Sequence, residues 1–185
     1  MAFSYEQNLV SRWDMSTINP VDLGFRGLGN NGVGTGLVTA TDIVQGRTSM
    51  ATEFDGAAET VDFGDIGIIR TLAFWVKPAT TTEELFLLDA GMDIMVNAGT
   101  ITYTGVGSDA TYVNGVAGTT LVANVWRHVV CVLDADTDCN NFEAATDGAN
   151  FGAIVLDDVR VYNTSLTNLD AADLMARSRR GATGG

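Results

Sequence analysis

Cysteine, histidine and proline are scarce in this sequence of 185 residues, which contains two cysteines, one histidine and two prolines. Two cysteines cannot form the disulfide framework of a small secreted protein, so a packed core must stabilise the fold. We expect Cys131 to lie in an apolar strand and Cys139 in a polar loop, both as free thiols, with a bridge between them as the alternative. The lack of proline, beside 21 glycines, favours tight turns over a disordered linker.

Positive charge is also scarce, because ten lysines and arginines stand against 23 aspartates and glutamates and leave a net charge of −13. The longest basic run is Arg179-Arg180. Such a surface repels a phosphate backbone, so we expect no nucleic-acid partner. The acidity either serves solubility or marks acidic loops that hold a cation or meet a basic partner.

Long apolar runs are missing as well. No window approaches the roughly 18 apolar residues of a membrane span. Residues 1–8 have neither the basic start nor the apolar region of a secretory signal. The sequence therefore predicts no membrane partner and synthesis in the host cytoplasm. The protein then either stays in the compartment where it is made or leaves by cell lysis or inside an assembly.

The chain does contain a dense series of strand and turn signals. Thr60–Phe63 and Thr100–Thr104 alternate apolar and polar residues, as half-buried strands do. Asp55-Gly56 and Asn114-Gly115 are strong turn pairs, and the second predicts a two-residue hairpin. About ten or more short strands at this spacing indicate a β-sandwich or jelly roll.

Two segments interrupt this β pattern. Gly24–Gly36 is rich in glycine and asparagine, which predicts a long loop. Near the C-terminus, Thr167 and Asp170 form a capping-box pattern before an apolar run. We therefore expect an all-β chain with one short C-terminal helix.

Six segments, in a fixed order, resemble the laminin-G-like branch of the concanavalin A-like lectin and glucanase jelly rolls. They are Leu9–Asp14, Met50–Gly56, Thr71–Pro78, Tyr112–Gly115, Trp126–Val129 and Asp157–Leu166. The resemblance covers residues 9–176 and implies a concanavalin A-like jelly-roll β-sandwich. One departure is visible, since the Tyr-Val-Asn-Gly hairpin comes before the Trp-Arg-His-Val strand, whereas many members have it after. Variants arranged in this way resemble modules of phage and virus structural proteins.

Glycosidases of this superfamily carry three carboxylates on one strand face, which places an acid and a nucleophile about 5 Å apart. The nearest candidates are Glu59 with Asp62, and the adjacent pair Glu83 and Glu84, whose side chains point to opposite faces of a strand. Neither pattern has its third carboxylate, so we predict no enzymatic activity. The single histidine, His128, lies in an apolar strand and is expected to be structural.

Calcium is the one cofactor that the sequence suggests, and it is not required by any motif. Asp134, Asp136 and Asp138, followed by Asn141, form an oxygen-rich segment of the kind that hard cations prefer. The resemblance adds that family members can bind calcium at the rim of the sandwich. The alternative is a solvated acidic turn. Asp55 and Asp157 are expected to cap turns, and Asp158 to make a buried hydrogen bond.

Aromatic residues are candidates for stacking against sugars. Trp13, Trp75 and Trp126 are expected to pack in the core, which leaves Tyr103 and Tyr112 as the more exposed candidates for a glycan platform.

The leading functional hypothesis is a non-catalytic virion structural protein, such as a capsid decoration or tail-associated protein at the virion surface. It divides the chain into an arm at residues 1–8, the jelly roll at 9–176 and a second arm at 177–185. The arms would contact a major capsid protein, another virion protein or a second copy in a homo-oligomer, through Phe3, Tyr5, Arg177, Arg179 and Arg180. The alternative is a calcium-assisted carbohydrate-binding module that mediates adhesion to glycans.

Overall fold

The computed structural model describes residues 4–24 and 29–180, without the side chains of Ser4, Arg179 and Arg180. The helical elements are the 3-10 helix η1 (Ser4–Asn8), the single turn α1 (Thr39–Asp42) and α2 (Asn168–Arg180). The strands are β1 (Leu9–Trp13), β2 (Val33–Thr35), β3 (Ile43–Gln45), β4 (Met50–Glu53), β5 (Thr60–Gly64), β6 (Gly67–Pro78), β7 (Glu83–Asp89), β8 (Met92–Asn97), β9 (Thr100–Thr104), β10 (Ser108–Val113), β11 (Val116–Ala117), β12 (Arg127–Cys139), β13 (Phe142–Ala144) and β14 (Ile154–Tyr162).

These strands form two antiparallel sheets that pack face to face as a jelly-roll β-sandwich, which confirms the expected fold class. The large sheet has the order β11-β10-β12-β6-β14-β4-β3, and β1 pairs with β14 beside β4. The small sheet has the order β2-β5-β13-β7-β8-β9. Long β6, β12 and β14 lie at the centre of the large sheet, and most of their side chains are buried.

The core lies between the sheets and is rich in aromatic rings. Leu72, Phe74 and Val76 share the inward face of β6, as the period of two requires. The ring of Phe74 meets that of Phe86 edge-on at 4.9 Å, and Phe86 stacks on Phe142 at 5.4 Å. These contacts join the two sheets, since Phe74 belongs to the large sheet and Phe86 and Phe142 to the small one.

A second apolar cluster lies on the outer face of the large sheet, beneath η1 and α2. We call it the helix-covered cluster, and its buried members are Tyr5, Ala73, Val130, Val132, Tyr162, Leu166, Ala171 and Leu174. The predicted capping box starts α2, because the Thr167 backbone N–H donates to Asp170 and the Asp170 N–H donates to the Thr167 hydroxyl. Neither α2 nor the shorter helical elements of the described ranges are long and apolar enough to cross a membrane.

Three local expectations need correction. The predicted glycine-rich loop contains strand β2, and α1 adds a helical turn that its sequence Thr-Ala-Thr-Asp did not indicate. Cys139 does not lie in a polar loop, because β12 continues to this residue and buries it. Trp126 precedes β12 and is only half-buried, whereas Trp13 and Trp75 are fully buried.

Both cysteines are free thiols in buried positions, as expected. Burial raises the pKa of the Cys131 thiol to about 12. Burial raises the pKa of Cys139 to about 12 as well, and nearby Asp138 adds to this effect. Neither thiol is therefore a reactive thiolate at neutral pH.

Candidate functional site

A groove at one end of the sandwich collects the acidic residues that the sequence singled out. Val132 of β12 pairs with Thr71 of β6, whereas Thr137 pairs with Ile69, so β12 carries extra residues between these two points. The extra residues bulge away from the sheet and expose Asp134. This irregularity turns what looks like a loop in the sequence into the wall of a groove.

The opposite wall comes from two connections, the β7–β8 turn and the β9–β10 loop. Together with the bulge of β12 they enclose about 460 Å³, and we call this space the rim groove. Met92 and Val106 supply its apolar surface. A Cβ at Gly107 would lie 2.1 Å from Oδ2 of Asp134, so a larger residue at this position would displace the Asp134 carboxylate from its place beside the loop.

Four carboxylates line the rim groove, those of Asp89, Asp134, Asp136 and Asp138. The Asn140 side-chain amide donates to Asp89 Oδ2 at 3.0 Å, and this bond together with the Ala90 N–H lowers the pKa of Asp89. Within residues 4–24 and 29–180, no three His, Cys, Asp or Glu side chains converge closely enough to hold a metal ion. The three calcium candidates thus share one groove without forming a preorganised cation cage.

The two tyrosines predicted as glycan platforms do not line the rim groove. Tyr103 reaches from β9 to β10, where its hydroxyl lies 2.6 Å from that of Thr111. Its ring packs against the core at the open side of the sandwich. Tyr112 packs against the helix-covered cluster. Both side chains are half-buried and serve packing between elements.

The predicted partner-binding residues make contacts within the chain where the structure describes them. Tyr5 is buried, and its hydroxyl donates to Asp173 of α2. Arg177 belongs to α2 and forms ion pairs with Glu6 and Asp173. Phe3 lies outside the described residues. The backbones of Arg179 and Arg180 end α2, and their side chains lie outside the description.

The carboxylates considered for glycoside hydrolysis act as turn caps. Glu59 accepts from the Asp55 N–H at 2.6 Å, and Asp62 accepts from the Gly64 N–H at 2.7 Å. Glu83 is buried and accepts from the N–H groups of Thr80 and Ala153, at 2.9 and 2.7 Å. These hydrogen bonds give each side chain a local structural role.

Glu84 differs from these caps because it faces outward from the small sheet, near Asp93 and Asp147. Burial raises the pKa of Glu84 to about 7, and the negative charges of Asp147 and Asp93 add to the effect. The pKa of Asp93 is raised by the same two causes, burial and the charge of Asp147. This acidic patch lies apart from the rim groove, and its residues do not line it.

His128 occupies a structural position, as its sequence context predicted. Its ring packs edge-on against Trp75 at 5.2 Å, and its backbone N–H donates to Asn114 Oδ1 at 3.1 Å. Trp75 Nε1 in turn donates to the Ser178 hydroxyl of α2 at 2.9 Å. Cys131 lies on the opposite, inward face of the same strand.

Sequence reasoning missed Asp89, Met92 and the glycines of the β9–β10 loop, which complete the rim groove. A partial signal existed, because the glycines of Gly105-Val-Gly107 follow an alternating strand. It also missed the ion cluster of Arg12, Asp158 and Arg160. No pattern of neighbouring residues in the sequence predicts this cluster, because Arg12 lies far from Asp158 and Arg160 along the chain.

Comparison with known proteins adds information on the fold. No protein-family profile and no curated protein sequence matches the chain. Among solved structures, domain 4 of AbnA, an extracellular GH43 arabinanase of Geobacillus stearothermophilus in complex with arabinotriose, is similar with a TM-score of 0.59 and 15% identity, over 91% of this chain and 98% of that domain.

The chain is also similar to parts of bacterial toxins. The receptor-binding domain of botulinum neurotoxin mosaic serotype C/D gives a TM-score of 0.61 at 10% identity, over 94% of this chain. The binding domain of Paraclostridial Mosquitocidal Protein 1 gives 0.55 at 15%, over 93%. The chain spans 52% of each of these domains. These similar structures are binding domains, and at this level of identity the likeness establishes the β-sandwich fold.

Proposed function

We propose that this protein is a non-catalytic carbohydrate-binding domain whose saccharide site is the rim groove. The observation that carries the proposal is the groove itself, in which four aspartates surround the apolar side chains of Met92 and Val106. Carboxylates accept hydrogen bonds from sugar hydroxyls, and apolar side chains cover the C–H faces of a sugar ring. A concave site with this mixture suits a polar ligand that also has apolar faces.

The similar structures support the same class of function. One is an arabinanase domain in complex with arabinotriose, and another is a toxin's receptor-binding domain. Both perform binding, which agrees with the turn-capping roles of Glu59, Asp62 and Glu83 in this chain. The proposal therefore replaces the virion role as the leading hypothesis.

Calcium is included in the proposal as an aid to binding. Asp134, Asp136 and Asp138 line the rim groove without converging on one point, so a cation held by one of these carboxylates would have to take most of its oxygen ligands from sugar hydroxyls. A bound cation would also offset the mutual repulsion of the carboxylates. The apparent affinity for saccharide should then fall when a chelator removes calcium.

The test is a glycan array followed by calorimetric titration with arabinotriose and with the strongest array ligand, each in calcium and in chelator. Replacing Asp134→Asn and Asp136→Asn together should weaken binding by about tenfold or more, because the bulge then lacks both carboxylate acceptors. Asp62→Asn, on the outer face of the small sheet, is the matched control and should bind normally. Binding that is unchanged by the double substitution, or absent for every glycan tested, would contradict the proposal.

The virion role and its surface location stay predictions, because the similar structures described above give them no support. They are compatible with glycan binding, since a displayed lectin-like domain would hold a particle near glycans.

A further inference from the structure

Two arginines with like charge lie opposite each other on the outer face of the large sheet. Arg12 of β1 pairs in register with Arg160 of β14. Like charges at directly opposed positions destabilise a sheet. Here Asp158 lies between them and accepts from Arg12 Nε at 2.8 Å and from Arg160 Nε and Nη2 at 3.0 and 2.6 Å. The side chain of Asp158 is only 2% exposed.

The backbone that carries Asp158 is strained. The pairing of β14 with β6 shifts register between Asp157 and Arg160, which marks a bulge. Within it Asp158 has a φ of 49°, in the left-handed region that side chains avoid. Strained residues persist where the surroundings hold them, and they concentrate at functional sites. The bulge is what brings the Asp158 carboxylate between the two arginines.

The cluster carries unused hydrogen-bonding capacity. Burial alone would raise the pKa of Asp158, but Arg160 and Arg12 outweigh it and hold this pKa below its usual range. One ionised carboxylate therefore faces two guanidinium groups. Within the described residues, the two Nη groups of Arg12 have no hydrogen-bond or ion-pair partner. The Arg12 side chain is 36% exposed, so these donors reach solvent.

These donors line a groove of about 240 Å³, separate from the rim groove, which we call the arginine groove. Its other walls are Leu9, Leu23 and Tyr162, with Glu6 at the edge. Glu6 is already ion-paired with Arg177 of α2, so Arg177 offsets its charge. The volume is slightly below the roughly 300 Å³ at which small-ligand sites begin, which suits one terminal sugar unit better than a long chain.

We propose that the arginine groove binds the carboxylate of an acidic saccharide, such as a uronic acid unit, through the Nη groups of Arg12. Two parallel N–H donors of a guanidinium match the two oxygens of a carboxylate. Leu9 and the exposed side chain of Leu23 would contact the apolar edge of the sugar ring. The net charge of −13 does not prevent this, because at physiological ionic strength charges beyond about 8 Å are largely screened.

The choice of a saccharide as ligand rests on the proposed function, and the experiment separates the two. The probes are trigalacturonate, the neutral trisaccharide made by reducing its carboxyl groups, acetate and inorganic phosphate, each titrated calorimetrically into the full chain. Arg12→Gln should weaken trigalacturonate binding by about tenfold or more. Arg12→Lys keeps the charge but not the planar pair of donors, and should recover only part of the affinity.

Arg70→Gln is the matched control, because Arg70 is also paired with an aspartate, Asp109, and should leave binding unchanged. Thermal unfolding of each variant shows whether it is folded. Equal binding of trigalacturonate and its reduced form, or binding that survives Arg12→Gln, would overturn the inference. Phosphate or acetate bound as tightly as trigalacturonate would overturn the saccharide assignment. The double substitution of Asp134→Asn and Asp136→Asn should not alter the preference for trigalacturonate over its reduced form. A negative result for saccharide binding at the rim groove is therefore distinguishable from a negative result for carboxylate binding at the arginine groove.

Discussion

At the scale of single residues, the carboxyl groups of buried Asp158 and half-buried Glu84 have opposite effects on stability. Asp158 is held ionised by two arginines, whereas Glu84 is pushed toward its neutral form by burial and by the charges of Asp147 and Asp93. The same loss of water acts on both, and only the charge of the neighbours differs. Their contributions to the free energy of unfolding therefore depend on pH with opposite sign.

Asp158→Asn should lower the free energy of unfolding by about 2–3 kcal/mol at pH 7. This is below the value of roughly 3–5 kcal/mol for a fully buried pair, because water reaches Arg12. The folded pKa of Asp158 is lowered, so its contribution is fully present above the unfolded value of about 3.9 and is lost progressively as pH falls from there through the folded pKa. Urea unfolding should therefore show a larger difference from the unsubstituted protein at pH 7 than at pH 3. An equal difference at both values would contradict this account.

Glu84→Gln should stabilise the protein at pH 8 and have little effect near pH 4. The folded pKa of Glu84 is about 7, above the unfolded value of about 4.3, so ionisation costs stability as pH rises between these values. Urea midpoints measured from pH 4 to pH 8 give the test. Glu143→Gln, on the same outer face of the small sheet, is the control. A midpoint difference that is independent of pH would count against the raised pKa.

At the scale of elements, the β10–β11 hairpin supports helix α2. Its turn residues Asn114 and Gly115 have φ angles of 55° and 75°, as the Asn-Gly pair predicted. The helix packs directly on this turn, because a Cβ at Gly115 would lie 2.9 Å from Cα of Ala172. Glycine is therefore needed at position 115 for two reasons: the backbone is left-handed there, and α2 lies too close to leave room for a side chain.

Gly115→Ala should destabilise the protein more than Gly64→Ala. Both glycines have positive φ, of 75° and 70°, so both substitutions incur a conformational cost of about 1 kcal/mol. Only at Gly115 does the new methyl group also meet backbone, since nothing lies within 4 Å of a Cβ at Gly64. We expect Gly115→Ala to cost roughly 2–3 kcal/mol in total. Equal costs in chemical denaturation would mean that α2 moves aside freely.

At the scale of the whole molecule, both chain ends pack on the sandwich where they are described. Tyr5 and α2 cover the outer face of the large sheet, and Arg177 connects α2 to η1. Deleting residues 1–8 or 177–185 would thus remove contacts of the folded domain together with any contact to a partner. A test of the arms as partner-binding segments needs substitutions that leave Tyr5 and Arg177 in place.

The virion hypothesis predicts that the native protein sediments with large particles and remains with them in high salt. Replacing Phe3→Ser, Arg179→Gln and Arg180→Gln together should release it, because apolar and charged contacts to the particle are lost while the ties between η1 and α2 remain. Arg70→Gln is the control for a general change in charge. Sedimentation of the native protein as a small free species would contradict the hypothesis and leave glycan binding as the remaining role.

Local sequence patterns predicted individual strands and turns well. β9 matches its alternating segment residue for residue, and the Asn114-Gly115 turn lies where expected. Asp157 caps the β3–β4 turn, as predicted, by accepting from the N–H groups of Arg47 and Thr48. The extension of β12 to Cys139 was missed, because Asp134 to Asp138 has the composition of a loop, and the strand resumes only where Thr137 to Cys139 pair with β6 beyond the bulge.

The sequence by itself determined the all-β class, the turns and the capped C-terminal helix, because periodicity, turn chemistry and capping act between residues close along the chain. Only the tertiary structure decided which side chains form sites. It brought Asp89 and Gly107 to Asp134, and Arg12 to Asp158 and Arg160, over long separations in the chain. It also assigned Tyr103 and Tyr112 to packing between elements, since sheet pairing and helix docking decide which polar groups remain open to a ligand.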